Sequence, residues 1–212
     1  MNRAFLRQTL ALFTIAVAAL TAPAAYAEDE APDALIKRLL SEVQDAIKND
    51  KAMRAGDTTK VVALIDARIM PSVNFQRMTA AAVGPAWQQA SAEQQRRLQE
   101  EFKIVLVRAY AGALAQLNNQ TVSVKPMKAA PEDKEVLVHA DIKGGGEALQ
   151  LDYRLEKPAG PGTGWRIFNL KVMGVWLVET YRSQFAPDIN NKGLDGLIGA
   201  LSDRNKANSK KP

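Results

Sequence analysis

Apolar and polar residues alternate with helical spacing through the first half of the chain. A second helix is predicted over residues 61–69, where Pro71 ends it. A third is predicted over residues 75–83, capped by Asn74 and closed by Gly84. The first predicted helix precedes these two and carries one apolar stripe, whose members are Leu35, Ile36, Leu39, Leu40, Val43 and Ile47.

The longest predicted helix begins after Ser91. Gln94 stands three residues later, so the pair forms a capping box. A short turn carrying Trp87 precedes it, and the helical pattern fades at Asn118. Its apolar residues are expected on one face: Leu98, Phe102, Val105, Leu106, Ala109, Tyr110, Ala113 and Leu117.

Beyond residue 120 the apolar positions recur with a period of two, which predicts strands with one buried face. A fourth strand, residues 165–172, is apolar on both faces where it starts. The connections are short, and glycines 144–146 form one of the turns, so an antiparallel meander is expected. The inward positions of the first three strands are Val122, Val124, Val136, Val138, Ala140, Ile142, Leu149, Leu151, Tyr153 and Leu155.

Helical spacing returns after the strands. Residues 174–185 and 194–201 are predicted helices, and residues 203–212 form a basic tail with four bases and one acid, expected to be disordered. The fold class is therefore α+β: a four-stranded twisted antiparallel sheet wrapped by six or seven helices. Residues 28–202 are expected to form a single domain.

The first 27 residues carry the pattern of a secretory signal. They contain Arg3 and Arg7, an apolar run over residues 10–20, and the ending Ala25-Tyr26-Ala27. The apolar run is too short to span a bilayer, which needs about 20 residues. We therefore expect this segment to be removed on export to the periplasm.

Charge and composition exclude several classes of function. The formal net charge is +5, and the part beyond residue 27 keeps 26 basic against 23 acidic residues. It lacks the dense basic stripe of a nucleic-acid binder. The chain has no Cys and a single His, which argues against thiol catalysis, disulfide exchange, zinc sites and haem attachment.

His139 and Asp141 are candidates for a catalytic base, but both fall on the polar face of a predicted strand together with Asp152. A general base must face an enclosed reacting centre, so a solvated sheet surface explains them better. A steroid-isomerase-like enzyme, whose curved sheet encloses a long helix, is one alternative. It needs a carboxylate pointing inward, where this sequence places apolar residues or Tyr. A structural adaptor with a filled core is the second alternative.

Four segments in order carry a resemblance to a known family. They are residues 74–114, "NFQRMTAAAVGPAWQQASAEQQRRLQEEFKIVLVRAYAGAL", residues 151–157, "LDYRLEK", residues 164–185, "GWRIFNLKVMGVWLVETYRSQF", and residues 191–201, "NKGLDGLIGAL". This ordered set resembles the MlaC family, also known as toluene-tolerance auxiliary proteins. The likeness covers essentially the whole chain beyond residue 27.

The resemblance implies a monomeric periplasmic carrier of glycerophospholipids. Such a carrier shuttles lipid between an outer-membrane lipoprotein–porin complex and the MCE-domain subunit of an inner-membrane ABC transporter, which maintains outer-membrane lipid asymmetry. The family fold implies acyl chains held between sheet and helices, with the head group outside. We expect no catalytic residue, no metal and no cofactor, since the phospholipid is cargo.

The residues expected to line the lipid pocket come from the long helix, the inner faces of the strands and the segments that flank them. They are Phe75, Val83, Trp87, Phe102, Val105, Leu106, Ala109, Tyr110, Val122, Val136, Val138, Leu149, Leu151, Tyr153, Phe168, Leu170 and Val175. A phosphate at the mouth favours Arg, so Arg108, Arg154 and Arg182 are the head-group candidates. The sequence departs from the family at Asn74 and Asn169, where Asp is usual, and at Trp176, where a small Ser is usual.

Overall fold

The computed structural model describes residues 30–115, 117, 120–144, 148–160 and 163–209. The predicted signal segment, most of the glycine turn and the last three residues of the predicted tail lie outside the described residues.

Within the described residues, the chain runs from helices into a sheet and back into a helix. Three-residue and six-residue 3₁₀ segments, Met70–Ser72 and Gly84–Gln89, flank the fourth helix. The elements are α1 (Pro32–Asn49), α2 (Lys51–Arg54), α3 (Thr58–Arg68), α4 (Phe75–Val83), α5 (Ala92–Ala115), β1 (Thr121–Val124), β2 (Glu135–Lys143), β3 (Leu149–Glu156), β4 (Arg166–Val172), β5 (Val175–Trp176) and α6 (Leu177–Ser209). The α+β prediction is confirmed, with five strands in place of four.

Two predicted helix starts are confirmed by their caps. The Asn74 side chain accepts a hydrogen bond from the Arg77 backbone N–H at 3.0 Å, although Asn lacks the charge of Asp. At the start of α5, Ser91 and Gln94 exchange backbone-to-side-chain hydrogen bonds of 3.0 and 3.2 Å. This reciprocal pair is the predicted capping box.

The sheet is an antiparallel meander in the order β1-β2-β3-β4-β5, as the short connections predict. Val138 pairs with Tyr153, and Ala140 pairs with Leu151. All four side chains are buried, so the predicted inward parity of β2 and β3 is confirmed. The opposite face carries His139 opposite Asp152.

A β-bulge breaks the alternation in β4. Leu155 pairs with Ile167, but Arg154 pairs with Asn169, so Phe168 is the extra residue. The pocket prediction for Phe168 is therefore wrong, because the bulge places Ile167 on the inner face in its stead. The Arg77 guanidinium lies 3.6 Å from the centre of the Phe168 ring.

Strand β5 stands where the sequence predicts the start of a helix. Val175 was expected in a helix, but it pairs with Val172 across a turn at Met173 and Gly174, both with positive φ. Tight hairpins favour such turns because their twist matches that of the strands.

The predicted disordered tail is helical as far as Ser209. Its Asn205 is 6% exposed and donates to the backbone carbonyl of Glu101 at 2.9 Å, so α5 holds this segment in place. Helix α6 is interrupted at Gly193, whose φ of 67° lies in the region that favours glycine.

Three buried clusters surround the centre of the molecule. One joins α1 to the inner face of the sheet, one joins α4, α5 and α6, and a small third cluster joins α3 to α5. No described helix has the length and apolar character needed to cross a bilayer. The clusters meet around a space that they do not fill.

Candidate functional site

A partly open cavity of about 230 Å³ lies between the sheet and helices α1, α3, α4 and α5. Apolar cavities of about 150 Å³ stay dry and take up small hydrocarbons. The lining is almost wholly apolar and consists of Ile36, Leu39, Leu40, Val43, Ile65, Ile69, Met70, Val73, Phe75, Met78, Lys103, Leu106, Val107, Tyr110, Ala113, Leu114, Leu117, Ile142, Leu149, Leu151, Tyr153, Ile167, Leu170, Val172 and Leu177. The space therefore suits hydrocarbon.

Helix α5 contributes one continuous stripe to this lining, at spacings of three and four residues. Residues with these spacings lie above one another on one face of a helix. The stripe begins with Lys103 and continues through Leu106, Val107 and Tyr110 to Leu114.

The sheet contributes the opposite wall. Leu151 and Tyr153 of β3 stand beside Val172 and Leu170 of β4, their partners in the register. Burial raises the pKa of the Tyr153 phenol, so this hydroxyl stays neutral over the physiological range. The wall is uncharged.

Few polar side chains reach the cavity. Its lining in the described part of the chain includes Lys103, Tyr110 and Tyr153, but no carboxylate and no imidazole. The described residues also hold no group of three acidic or His side chains that could bind a metal. Acid–base chemistry of the isomerase type has no carboxylate here to perform it.

Seven of the predicted pocket residues line the cavity, and their part in lipid binding stays a prediction. They are Phe75, Leu106, Tyr110, Leu149, Leu151, Tyr153 and Leu170. The other ten do not line it: Val83, Trp87, Phe102, Val105, Ala109, Val122, Val136, Val138, Phe168 and Val175.

The helical residues among these ten belong to packed surfaces. Val83, Phe102 and Val105 are buried where α4, α5 and α6 meet, and Trp87 packs against the same cluster. The Phe102 ring lies 4.9 Å from that of Tyr181 and 5.1 Å from that of Phe185, both on α6. Helix α5 thus buries two faces, and only one borders the cavity.

Ala109 was placed on the cavity face of α5, but it is exposed. A lone Ala marks neither face of a helix, so spacing alone could not place it.

Three strand residues among the ten, on β1 and β2, pack into the cluster under α1. Val138 is fully buried there, and the half-buried Val122 and Val136 pack against it. Their inward parity was predicted correctly, but α1 covers that part of the sheet. Val175 is 53% exposed at the end of the sheet.

The prediction missed the contributions of α1 and α3. Helix α1 lines the cavity with Ile36, Leu39, Leu40 and Val43, all members of its predicted buried stripe. Helix α3 adds Ile65, and Ile69 follows directly at its C-terminal end. The periodic stripes were visible in the sequence, but nothing in a stripe distinguishes a cavity wall from a packed core.

None of the three predicted head-group arginines lines the cavity. Arg108 donates to the backbone carbonyl of Asn205, and Arg182 donates to that of Ala81 at 2.8 Å. Arg154 pairs with Glu179 at 3.0 Å. All three hold elements of the fold together.

Two departures from the family pattern lie on the outer side of the sheet. Asn169 is 2% exposed, donates to Glu179 at 2.9 Å and accepts from the Val178 backbone N–H at 3.2 Å. Trp176 lies with the Arg154 guanidinium 3.9 Å from its ring centre and does not line the cavity. Neither Asn169 nor Trp176 is among the residues that line the cavity.

Comparisons with known proteins agree with one another. The family model described as MlaC protein matches residues 37–203. The toluene tolerance protein ttg2D of Pseudomonas putida is 32% identical over 130 residues, 58% of this chain and 59% of that protein. The intermembrane phospholipid transport system binding protein MlaC of Haemophilus influenzae is 20% identical over 199 residues, 93% of each chain.

A solved structure has the same fold. It is a phospholipid-binding protein from Ralstonia solanacearum in complex with a phospholipid, with 41% identity and a TM-score of 0.79. The match covers 86% of this chain and 100% of the other.

Proposed function

The chain belongs to the MlaC family, and from this premise we propose that it is a periplasmic carrier of glycerophospholipids. In this proposal it shuttles lipid, as a monomer without a cofactor, between an outer-membrane lipoprotein–porin complex and the MCE-domain subunit of an inner-membrane ABC transporter. The exchange maintains the lipid asymmetry of the outer membrane. The predicted export signal in residues 1–27 supports the location.

The observation that carries the proposal is the apolar cavity of about 230 Å³ between sheet and helices. A related protein of the same fold was solved with a phospholipid bound, which supports phospholipid as the occupant. The lining groups are those that solvate acyl chains rather than a polar metabolite.

The energetics suit a carrier. Burying one methylene stabilises by about 0.8 kcal/mol, so every ten methylenes that enter the cavity gain on the order of 8 kcal/mol on leaving water. A bilayer offers nearly the same gain. Transfer at a docked membrane complex is therefore close to neutral, whereas escape into water is strongly opposed.

The two alternatives fit the cavity less well. An isomerase-like enzyme needs an inward carboxylate, and the described lining contains none. A structural adaptor gains nothing from an unfilled space much larger than one water molecule, because a cavity costs stability.

Native mass spectrometry of the purified protein tests the proposal. We expect the wild type to carry an added phospholipid mass, with the lipid recovered by solvent extraction. Leu106→Trp fills the cavity from the middle of the α5 stripe, so we expect it to lose most of this lipid.

Ala109→Trp is the matched control, because it adds the same ring to the exposed side of the same helix. It should keep wild-type lipid content. A wild type that carries no phospholipid, or equal loss in both variants, would overturn the proposal.

A further inference from the structure

Lys103 occupies an unusual place in the cavity. It is the charged member of the described lining and stands at the N-terminal end of the α5 stripe that continues through Leu106 and Tyr110. Its side chain is 30% exposed. A side chain that both lines the cavity and reaches solvent lies at the opening. Its methylene stem can follow the apolar wall while the ammonium stays in water.

The partner of Lys103 is easily replaced. The ammonium lies 2.9 Å from Oδ1 of Asp66, a residue of α3 whose side chain is 41% exposed. Exposed ion pairs contribute little to stability, because water and salt screen them. Another anion at the opening can therefore compete with Asp66 at small cost.

A bound phospholipid would bring such an anion to this position. Its acyl chains fill the apolar interior, so its phosphate must stay at the boundary between cavity and water. Lysine binds phosphate as a point charge. The arginines predicted for this task are held elsewhere, two by backbone carbonyls and Arg154 by Glu179.

We infer that Lys103 is the head-group contact of this carrier: its ammonium leaves Asp66 and binds the phosphate of the loaded lipid. The inference rests on the proposed carrier function and deepens it. Asp66 holds the ammonium at the opening while the cavity is empty, and so competes with the lipid phosphate. Selection is for a phosphate-bearing lipid over a neutral one with the same chains.

Competitive uptake tests this inference. Delipidated protein is mixed with vesicles of dioleoylphosphatidylcholine containing one tenth dioleoylglycerol, and the two bound lipids are quantified by mass spectrometry. The wild type is expected to favour phosphatidylcholine beyond its share of the vesicle. Lys103→Met should reduce this preference about tenfold, the size of one charged hydrogen bond.

Asp66→Asn distinguishes head-group binding by Lys103 from a purely structural ion pair that holds α3 and α5 together. It removes the competing carboxylate, so the inference expects the preference for phosphatidylcholine to stay or rise. If the ion pair were purely structural, Asp66→Asn and Lys103→Met would change lipid uptake in the same direction. Because Asp66→Asn keeps the side-chain size, it tests the inference even if Lys103→Met folds poorly.

The remaining outcomes separate the inference from the function on which it rests. A wild type that takes up neither lipid contradicts the carrier function itself. A wild type that takes up both in proportion to the vesicle keeps the carrier function and overturns the role of Lys103. We expect 10 mM inorganic phosphate to leave wild-type uptake unchanged, since it lacks the acyl chains. A Lys103→Met variant that folds and keeps the wild-type preference for phosphatidylcholine would overturn the role of Lys103.

Discussion

Asp152 stands in the middle of a polar row on the outer face of the sheet. Its carboxylate lies 2.5 Å from Nδ1 of His139 on β2 and 2.7 Å from Nζ of Lys171 on β4. The side chain is 15% exposed. Burial raises the pKa of Asp152, but the hydrogen bonds from Lys171 and His139 lower it by more, so the pKa lies below its usual range.

Asp152→Asn is expected to lower the free energy of unfolding by about 1 kcal/mol at pH 7, since it removes a charge-assisted contact between strands. A carboxyl whose folded pKa is lowered stabilises fully above its unfolded pKa of about 3.9 and loses this effect as pH falls through the folded value. Urea unfolding between pH 2.5 and 5 should therefore show a steeper loss in the wild type than in the variant.

Asp141→Asn is the control for this pair of measurements. Asp141 lies on the same face, but its contact with Lys125 is 4.0 Å long. The control should cost less and keep the acid-dependent loss due to Asp152. Equal cost in the two variants would contradict the central place of Asp152.

For single residues, the sequence predicts which face of the sheet a side chain lies on better than it predicts which residues that side chain contacts. The period of two placed His139 and Asp152 outward, which the structure confirms. It also predicted Phe168 inward, which is wrong because of the bulge. A bulge adds one residue without a signature in the apolar pattern, so every side chain before it exchanges faces.

Helix α5 explains most of the errors at the scale of elements. Its apolar positions divide between a packed face, where Leu98 and Phe102 are fully buried, and the cavity face with Leu106 and Tyr110. Periodicity predicts that a face is covered, not what covers it. The neighbours α4 and α6 are set by tertiary contacts, so sequence could not separate the two faces.

The C-terminal end of α6 differs from the sequence-based prediction for a related reason: it is helical to Ser209, where a disordered tail is predicted. A short polar and basic segment has the composition of a disordered tail. Asn205 anchors it here: its side-chain amide donates to the Glu101 backbone carbonyl at 2.9 Å and to the Glu101 carboxylate at 2.6 Å. Amino-acid composition does not show that one residue of the segment is buried and hydrogen-bonded, so it predicts disorder.

Asn205→Ala is therefore expected to lower the free energy of unfolding by about 1 kcal/mol, the net value of the lost hydrogen bonds. The loss is moderate because Oδ1 of Asn205 is buried without a partner among the described residues, and the variant removes that atom too. Asn208→Ala, one turn later and exposed, should change stability by less than about 0.5 kcal/mol. Chemical denaturation measures both, and indistinguishable values would mean that the segment does not depend on this anchor.

At the scale of the whole molecule, three packed clusters enclose a cavity that none of them fills. An unfilled apolar space lowers stability in proportion to its volume. Leu106→Trp, which fills this space, should therefore raise the stability of the lipid-free protein. The protein is less stable with an empty cavity, but only an unfilled cavity has room for a lipid.

Removal of the bound lipid should therefore lower the melting temperature of the wild type. A ligand that binds only the folded state stabilises it by about 2.7 kcal/mol at a hundredfold excess over its Kd. For a chain of this size that corresponds to a shift of roughly 5 to 10 °C.

Leu106→Trp should melt above the lipid-free wild type and show no shift on adding phospholipid vesicles, whereas Ala109→Trp should shift like the wild type. Calorimetry before and after delipidation measures these differences. A wild type whose melting temperature does not depend on lipid would mean that lipid does not bind the folded protein, and a Leu106→Trp variant that shifts like the wild type would mean that the cavity is not where the lipid binds.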